Sequence, residues 1–381
     1  MKSSGPFLVL LLSLSSTASG LGSVVRRHYS YISEYLTWKD AQRYCRNLAP
    51  NTDLAPIFTQ SDADSLNMVF YHAWTGLKKQ VNTFWFWLYP YGFDVNLQQN
   101  QYWWGEPWLP SDNNNCAVVS YNNQRFYARH CDGCYFFFCI EYKNFGDYKY
   151  TFVPQSMSWS EARQYCMRKR DGYLATFIDD SDLYSTVINQ DFPVWTGLYR
   201  EGGTWRWSTG LSEYRKWAER EPGNDDCVSI SSTSKRMSTQ DCAARFPFLC
   251  FSDNLVLVKE NKTWEGALEH CRALNSTSQP NLRYELVSVQ PGGDHDHVMS
   301  RVMEADTDEV WAGLRFLAGE WLWVNGASML YSDLPLCPPV VQHCGALSKN
   351  STGSMETRDC SEKRNFMCYS TYFISLDGGR L

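Results

Sequence analysis

Cysteine is the residue type in this chain with the widest choice of chemistry, and 14 of the 381 residues are cysteines. Thiolates bind zinc, act as nucleophiles or exchange disulfides, and in an oxidising compartment the same residues form structural crosslinks. The Cys131–Cys134 pair has the Cys-x-x-Cys spacing of a redox motif. Cys131 belongs to a repeating cysteine frame, so we interpret it as a crosslink rather than a redox group.

Other residue types offer little evidence of catalysis. The run Asp294-His295-Asp296-His297 contains ligands that suit transition metals. It follows a Pro-Gly-Gly turn, however, and acidic residues at a helix start favour the helix dipole without any metal. The chain has only seven histidines and lacks Gly-x-Ser-x-Gly, His-Glu-x-x-His and a phosphate-binding glycine loop. The sequence therefore predicts neither an enzyme nor a metal site at this run.

The cysteines belong to a unit that occurs three times. In each copy a Trp precedes the first cysteine, Trp-x-Gly-Leu and Trp-x-Trp motifs follow it, and seven residues separate the last two cysteines. The Trp-x-Gly-Leu motifs begin at Trp74, Trp195 and Trp311. The four cysteines of the successive copies are Cys45, Cys116, Cys131 and Cys139; Cys166, Cys227, Cys242 and Cys250; and Cys271, Cys344, Cys360 and Cys368. Matched spacings in triplicate indicate three tandem domains.

On these motifs each copy resembles a C-type lectin-like domain, and the tandem is similar to the macrophage mannose receptor and secretory phospholipase A2 receptor group. The resemblance covers residues 28–142, 146–252 and 253–370. It implies three α+β domains, each with two helices and short antiparallel strands crosslinked by two disulfides. In this family the first cysteine pairs with the last, and the two middle ones pair together. The pairs implied are Cys45–Cys139, Cys116–Cys131, Cys166–Cys250, Cys227–Cys242, Cys271–Cys368 and Cys344–Cys360.

Two cysteines, Cys134 and Cys337, remain outside this frame. An unpaired cysteine in an oxidising compartment suggests an intermolecular bridge or a reactive thiol. We expect a Cys134–Cys337 bridge or a disulfide-linked dimer rather than free thiols, and exchange of Cys337 with Cys344 is a further alternative.

Local patterns predict the helices and a tight strand in each copy. Ser158 to Glu161 forms a capping box, and Thr37 and Thr263 occupy the same place in the other copies, although Gly266 breaks the box in the third. The second helices are predicted at residues 61–70, 179–189 and 294–305. Three glycines are expected where a strand passes close to packed Trp rings, so that an added side chain would overpack the core. They are Gly76, Gly197 and Gly313.

Sugar-binding members of this family hold one Ca²⁺, an ion that takes six to eight oxygen ligands. The family supplies them from Glu-Pro-Asn or Gln-Pro-Asp, an acidic residue two before the second cysteine, and Asn-Asp four and three before the third. The first copy retains Glu106 and Asn114, and the third is largely stripped of carboxylates. The second copy retains Glu221, Asn224 and Asp225. No copy has the Asn-Asp pair, so we expect no cofactor, although calcium in the second copy is the alternative.

Aromatic residues crowd the loop region of the first copy. Trp85, Trp87 and one of Trp103 and Trp104 are predicted to be core residues. Trp108, beside Pro107 and Pro110, is the expected exposed ligand contact, since Trp provides a large contact surface for proteins and for sugar faces. The other candidate contacts are Glu106, Glu221, Asn224 and Asp225.

The N-terminus and the charge balance bear on compartment and partners. Lys2, the apolar run Phe7–Leu12 and small residues up to Gly20 predict a signal peptide at residues 1–20. The sequence therefore predicts a secreted protein, although a truncated form of a membrane receptor would look the same. The formal net charge is −6, and without a basic patch nucleic acid is an unlikely partner.

Function follows from the resemblance and from the missing calcium ligands. We expect a secreted, non-enzymatic binding protein that recognises protein or glycan ligands at cell or pathogen surfaces, in innate immunity, without calcium. The alternatives are a calcium-dependent lectin that uses the second copy and a matrix or coat component. Three Asn-x-Ser/Thr sequons, all in the third copy, predict glycosylation there. They are Asn261, Asn275 and Asn350.

Overall fold

The structure, a computed structural model, forms two compact bodies, which are treated separately below. The first contains residues 27–253, and the second contains residues 254–370 together with 24–26. No helix among the residues described is long and apolar enough to cross a bilayer. The described residues are 24–49, 51–79, 85–87, 95–96, 115–144, 147–170, 172–177, 180–209, 212–274, 282–289, 293–331, 333–339, 341–350 and 354–370.

Each repeat contributes two helices and several short strands. The first repeat contains β1 (Arg27–Leu36), α1 (Trp38–Leu48), β2 (Thr52–Leu54), α2 (Gln60–Ser65), β3 (His72–Lys79), β4 (Trp85–Trp87), β5 (Val95–Asn96), β6 (Cys116–Ser120), β7 (Phe126–Arg129) and β8 (Tyr135–Asn144). The second contains β9 (Asp147–Met157), α3 (Trp159–Lys169), β10 (Gly172–Leu174), α4 (Asp180–Thr186), β11 (Pro193–Glu201), β12 (Thr204–Trp207), β13 (Cys227–Ser231), β14 (Met237–Gln240) and β15 (Phe246–Asp253).

The third repeat has the same element order as the second. It contains β16 (Leu255–Lys262), α5 (Trp264–Ala273), β17 (Tyr284–Leu286), α6 (Gly293–Val302), β18 (Glu309–Leu317), β19 (Glu320–Trp323), β20 (Cys344–Ser348), β21 (Met355–Arg358) and β22 (Arg364–Ser370). This mixed content confirms the predicted α+β class.

The helices begin where the capping residues predicted them. Thr37, Ser158 and Thr263 are the N-caps of the first helix of each repeat. Ser158 and Glu161 form a reciprocal capping box, whereas in the third repeat the amide of Gly266 donates to Thr263 without a return bond from residue 266. The second helices are shorter than predicted, because α2 ends at Ser65 and α4 ends at Thr186.

The third repeat folds upon itself. Its β16 pairs antiparallel with β22, which also pairs in parallel with β18. The indole of Trp264 donates to the carbonyl of Ala312 (2.8 Å), and the indole of Trp311 donates to that of Lys262 (2.9 Å). These two bonds join the helix-bearing first half of the repeat to its strand-rich second half around a buried core.

The first two repeats exchange their halves. The Trp38 indole in the first repeat donates to Thr196 in the second (2.8 Å), and the Trp159 indole in the second donates to Thr75 in the first (2.9 Å). Likewise β1 pairs with β15, and β9 pairs with β8. We call the two resulting composite units A (27–66 with 193–253) and B (72–144 with 147–186).

Two of the six implied disulfides are consequently wrong. Cys45 bonds to Cys250 rather than to Cys139, and Cys139 bonds to Cys166. The other four implied pairs are present in the structure: Cys116–Cys131, Cys227–Cys242, Cys271–Cys368 and Cys344–Cys360. The error arises because the helix that carries the first cysteine of each repeat packs against a strand of the other repeat. That strand carries the last cysteine of the other repeat, and the two cysteines bond there.

An aromatic cluster occupies the crossing between the two composite units. Tyr71 lies 5.6 Å from Phe192 between ring centroids, and its hydroxyl donates to the carbonyl of Ile188. Tyr35 lies edge-on to Phe136 at 4.8 Å. All four rings are buried. Burial of large aromatic surfaces stabilises the crossing.

The sequence predicted that the three motif glycines lie close to packed Trp rings. In the structure they lie against backbone instead. A Cβ on Gly313 would lie 2.8 Å from the carbonyl oxygen of Leu286. At Gly197 the corresponding distance is 2.6 Å to Leu54, and at Gly76 it is 2.8 Å to Leu174. Both of these neighbours come from the other repeat, so the glycines allow the exchanged halves to approach closely.

Candidate functional site

The candidate ligand contacts divide into two groups. Glu106, Trp108 and Asn114, with Trp103 and Trp104, lie outside the residues that the structure describes. Glu221, Asn224 and Asp225 are described and belong to one segment between β12 and β13. We call residues 212–226 of this segment the ligand loop. The core assignment of Trp85 and Trp87 is confirmed, since 7% and 2% of their surfaces are exposed.

The second half of the ligand loop runs beside β14. The amide of Ala218 donates to the Met237 carbonyl, and the amide of Met237 donates to the Lys216 carbonyl, both at 2.8 Å. The chain then turns at the cis peptide between Glu221 and Pro222. These bonds place the Glu221 carboxylate over Thr239, two residues further along β14.

The Glu221 carboxylate is satisfied by protein donors. Its Oε2 accepts from the Thr239 hydroxyl (2.6 Å), the Thr239 amide (3.0 Å) and the Gly223 amide (2.9 Å). Burial by itself would raise the pKa of Glu221, but these hydrogen bonds outweigh it and hold the pKa below its usual value. The family's calcium-binding carboxylate is thus present, but its Oε2 already receives three hydrogen bonds from the protein.

A guanidinium holds the remainder of the loop. The Nε of Arg200 donates to the carboxylate of Asp226 (2.7 Å), and its Nη2 donates to the carbonyls of Asn224 and Asp225. Arg200 is three-quarters buried, whereas Asp226 is exposed. The positively charged guanidinium of Arg200 therefore already binds the carbonyls of Asn224 and Asp225 in this loop. Neither the Trp-x-Gly-Leu motif nor cysteine spacing signals this role, because the other repeats have Lys79 and Phe316 two residues after the motif.

Two tryptophans adjoin the Arg200 side chain. The guanidinium carbon lies 5.2 Å from the ring centroid of Trp205, a cation–π distance. Trp205 packs against Trp217 with the ring centroids 5.1 Å apart. Both rings are partly exposed. Partly exposed Trp faces beside fixed hydrogen-bonding groups can bind sugar rings or protein side chains.

The equivalent position of the third repeat is built differently. Leu336 is 89% exposed, and Glu356 accepts from the Ser354 hydroxyl (2.6 Å) and lies 3.6 Å from Arg358. In the first repeat, the residues that replace Asn-Asp are Tyr127 and Ala128, and the Tyr127 hydroxyl accepts from Asn123.

The Asp-His-Asp-His run begins α6, as the helix-start interpretation predicted. His297 is buried and the Nδ1 of His295 lies 3.2 Å from the Tyr331 hydroxyl. Within the described part of the chain, no group of three His, Cys, Asp or Glu side chains is arranged to hold a metal.

The two remaining cysteines are not disulfide-bonded. Cys134 is partly buried and Cys337 is exposed. Cys134 lies in the first body and Cys337 in the second, so both the Cys134–Cys337 bridge and the dimeric bridge stay predictions. Burial raises the pKa of the Cys134 thiol.

Glycosylation of the third repeat also stays a prediction. Asn275 lies outside the described residues. Asn261 is exposed, and its side-chain oxygen accepts from Asn365. Asn350 is exposed in the turn after β20, where its side-chain nitrogen donates to Ser354.

Comparison with known proteins identifies the repeats. The family model of the lectin C-type domain matches residues 34–140, 155–252 and 260–370. Secretory phospholipase A2 receptor of Mus musculus is 22% identical over 271 residues, which are 58% of this chain and 18% of the receptor. Lithostathine-1 of Mus musculus is 29% identical over 127 residues, 29% of this chain and 77% of lithostathine-1. The chain thus spans less than a fifth of the receptor's length.

Two solved structures also match parts of this chain. The C-type lectin CEL-I from Cucumaria echinata matches 31% of this chain and 90% of its own, with 20% sequence identity and a TM-score of 0.28. Human lithostathine matches 30% of this chain and 80% of its own, with 24% identity and a TM-score of 0.26.

Proposed function

Because this chain belongs to the C-type lectin domain family and carries three such domains, we propose that it is an exported binding protein that engages protein or glycan ligands without calcium. Its relatives are binding proteins and receptors rather than enzymes. The single observation that carries the proposal is the saturation of Glu221 Oε2 by Thr239 and Gly223.

Calcium would have to compete with these contacts. A Ca²⁺ ion needs six to eight oxygens, and binding it through Oε2 of Glu221 would break charge-assisted hydrogen bonds, each of which contributes about 1.5–3 kcal/mol. It would also place a divalent cation near the guanidinium of Arg200, which already contacts the carbonyls of Asn224 and Asp225. Both effects favour a loop that is ordered without the metal.

The ligand surface we propose is formed by Trp205, Trp217 and the ligand loop. The two rings offer apolar faces, and the exposed side chains of Asn224 and Asp225 offer hydrogen-bonding groups beside them. This combination suits a sugar ring, which has an apolar face and polar edges, and equally a protein surface.

The test is binding of the full chain to immobilised mannose and galactose, and to a panel of extracellular proteins, with and without a calcium chelator. We expect retention to be unchanged by the chelator. Elution by the chelator would overturn the proposal in favour of a calcium-dependent lectin that uses the second repeat. Calorimetric titration of Ca²⁺ into the same protein is the direct control, and we expect no binding heat.

A further inference from the structure

On the premise that the ligand loop binds ligand as proposed above, we propose that the first repeat positions it, so that repeats one and two form a single composite recognition site. In the self-contained third repeat, the corresponding segment contacts the helix-bearing half of its own repeat, since the Tyr331 hydroxyl lies 3.2 Å from Nδ1 of His295. In unit A that half comes from the first repeat, and the ligand loop comes from the second.

The start of the ligand loop is bonded to the first repeat. The hydroxyl of Ser212 donates to the carbonyl of Ile57 (2.5 Å) and accepts from the amide of Tyr214 (3.1 Å). The hydroxyl of Tyr214 then donates to the side-chain oxygen of Gln60 (3.1 Å). Ser212 is buried, with 8% of its surface exposed, so its bond to Ile57 is shielded from competition by water.

The segment of the first repeat that receives these bonds is itself fixed. Leu54, Ala55 and Ile57 are fully buried. The amide of Ala55 donates to the carbonyl of Leu249, and the amide of Gly197 donates to that of Ala55, both at 2.9 Å. The hydroxyl of Ser208, at the end of β12, donates to the carbonyl of Leu54 (3.0 Å). Residues 54–57 are thus a buried, hydrogen-bonded platform under the start of the loop.

The far end of the loop is held by its own repeat, through Glu221 and Thr239 on one side and Arg200 and Asp226 on the other. Trp217 lies between the two sets of bonds. Loss of the first-repeat contacts would free residues 212–215, which lead into Trp217, while residues 216–218 stay bonded to Met237 and the far end remains in place. The first repeat is therefore a positioning element for a site whose contact residues all belong to the second.

Trypsin measures this positioning without any ligand, because Arg215, Lys216 and Arg220 offer cleavage sites in the loop. We would digest the native, non-reduced full chain and follow cleavage after these residues by mass spectrometry. Gln60→Leu removes a loop contact from within the first repeat, and Ser212→Ala with Tyr214→Phe removes the contacts from the loop side. Thr233→Ala, at an exposed position of the second repeat, is the matched control.

We expect cleavage to accelerate at least about tenfold in Ser212→Ala/Tyr214→Phe, which loses three hydrogen bonds of the loop, and several-fold in Gln60→Leu, which loses one of them. Thr233→Ala should match the wild type. Unchanged cleavage in both loop-contact variants, or equal acceleration in the control, would overturn the inference. If the double variant does not fold, Tyr214→Phe alone removes only one hydroxyl and gives the same comparison.

The outcome is separable from that of the proposed function. Accelerated cleavage in a chain that binds neither sugar nor protein would support the positioning role and overturn the ligand role of the loop. Unchanged cleavage of the variants, in a chain that binds mannose without calcium, would support the ligand role of the loop and overturn the positioning role. For a chain that binds, Gln60→Leu should weaken mannose binding severalfold while the disulfide pairing stays that of the wild type.

Discussion

The indole of Trp38 donates a hydrogen bond to the carbonyl of Thr196 at 2.8 Å, although 158 positions separate the two residues in the chain. The same bond in the third repeat joins Trp264 to Ala312 across only 48 positions. The geometry of the contact is conserved between the repeats, and only its connectivity differs. The first two repeats are therefore one interlocked body made of two composite units.

Disulfide mapping tests this interlocking directly. We expect peptide mapping of the non-reduced protein to recover Cys45 linked to Cys250, and Cys139 linked to Cys166. Recovery of Cys45–Cys139 and Cys166–Cys250 would contradict the exchange. The Cys116–Cys131 and Cys227–Cys242 peptides are internal controls, because both arrangements contain them.

The exchange also predicts the effect of single cysteine substitutions. Cys45→Ser should free the thiol of Cys250 in the second repeat, and Cys166→Ser should free that of Cys139 in the first. Each loss should lower stability by about 2–5 kcal/mol, as measured by denaturant unfolding, because a long covalent loop no longer restricts the unfolded chain. A thiol freed in the same repeat as the substitution would contradict this pattern.

Gly197→Val should impair folding rather than ligand binding. Its Cβ would lie 2.6 Å from the carbonyl oxygen of Leu54 and 2.5 Å from the hydroxyl of Ser208, so that the two exchanged halves must separate. We expect a destabilisation of about 1–3 kcal/mol and reduced secretion. Thr204→Val, at an exposed strand position, is the control. Normal secretion with selective loss of ligand would place Gly197 in the binding site instead.

The sequence predicted the local parts of this structure and missed the connections between them. Capping residues such as Ser158 fix helix starts through bonds to neighbouring amides, which spacing alone reveals. The partner of Trp38 could not be predicted in this way, since Thr75 and Thr196 occupy the same position within identical Trp-Thr-Gly-Leu motifs and offer the same carbonyl. The cluster around Tyr71 and Phe192, which lies at the crossing, carries no repeat signature.

The candidate site shows the same division. Glu221 could be recognised because the family motif surrounds it, and its partner Thr239 stands where the family has Asp. The role of Arg200 could not be recognised, since it depends on a loop that folds back across 26 positions to Asp226. Contacts of that kind depend on tertiary structure, for which a single sequence without a matching motif holds no signal.

His72 should make the first body less stable in acid. Burial, with a smaller effect from Arg129, lowers the pKa of His72 to about 4 in the folded protein, against about 6.5 in an unfolded chain. Above pH 6.5 both states are neutral. As the pH falls from 6.5 towards 4, only the unfolded state takes up the proton, so stability decreases, by about 3 kcal/mol in total.

The measurement for His72 is urea unfolding between pH 7.5 and 4.5, with His72→Phe as the comparison. As the pH falls through this range, the wild type should lose more free energy of unfolding than the variant does. A difference that is constant with pH would show that His72 does not titrate in this way. Phe retains the edge-on ring contacts with Tyr127 and Tyr135.

The two free cysteines should differ in reactivity. Cys337 is exposed, whereas Cys134 is partly buried and burial raises its pKa, so less of it is the reactive thiolate at neutral pH. On monomeric, non-reduced protein we expect maleimide to modify Cys337 at least about ten times faster than Cys134. Faster labelling of Cys134 would contradict this order. A dimer on a non-reducing gel that disappears in Cys337→Ser would show that Cys337 is the bridging residue.

Arg200→Met should loosen the ligand loop without unfolding the domain. The substitution keeps the aliphatic stem over Trp205 but removes every bond from the guanidinium to Asn224, Asp225 and Asp226. Charge-assisted hydrogen bonds of this kind contribute about 1.5–3 kcal/mol each, so the amides of residues 223–226 should exchange hydrogen at least about tenfold faster. Hydrogen-exchange mass spectrometry of that peptide measures the effect.

Arg206→Met, which removes an exposed guanidinium 4.0 Å from Glu201, is the matched control because exposed pairs contribute little. Equal exchange in wild type and Arg200→Met would show that Glu221 and Thr239 hold the loop alone. Protection restored by added Ca²⁺ in Arg200→Met, but not in the wild type, would show that the guanidinium occupies the role that the metal has in the sugar-binding members.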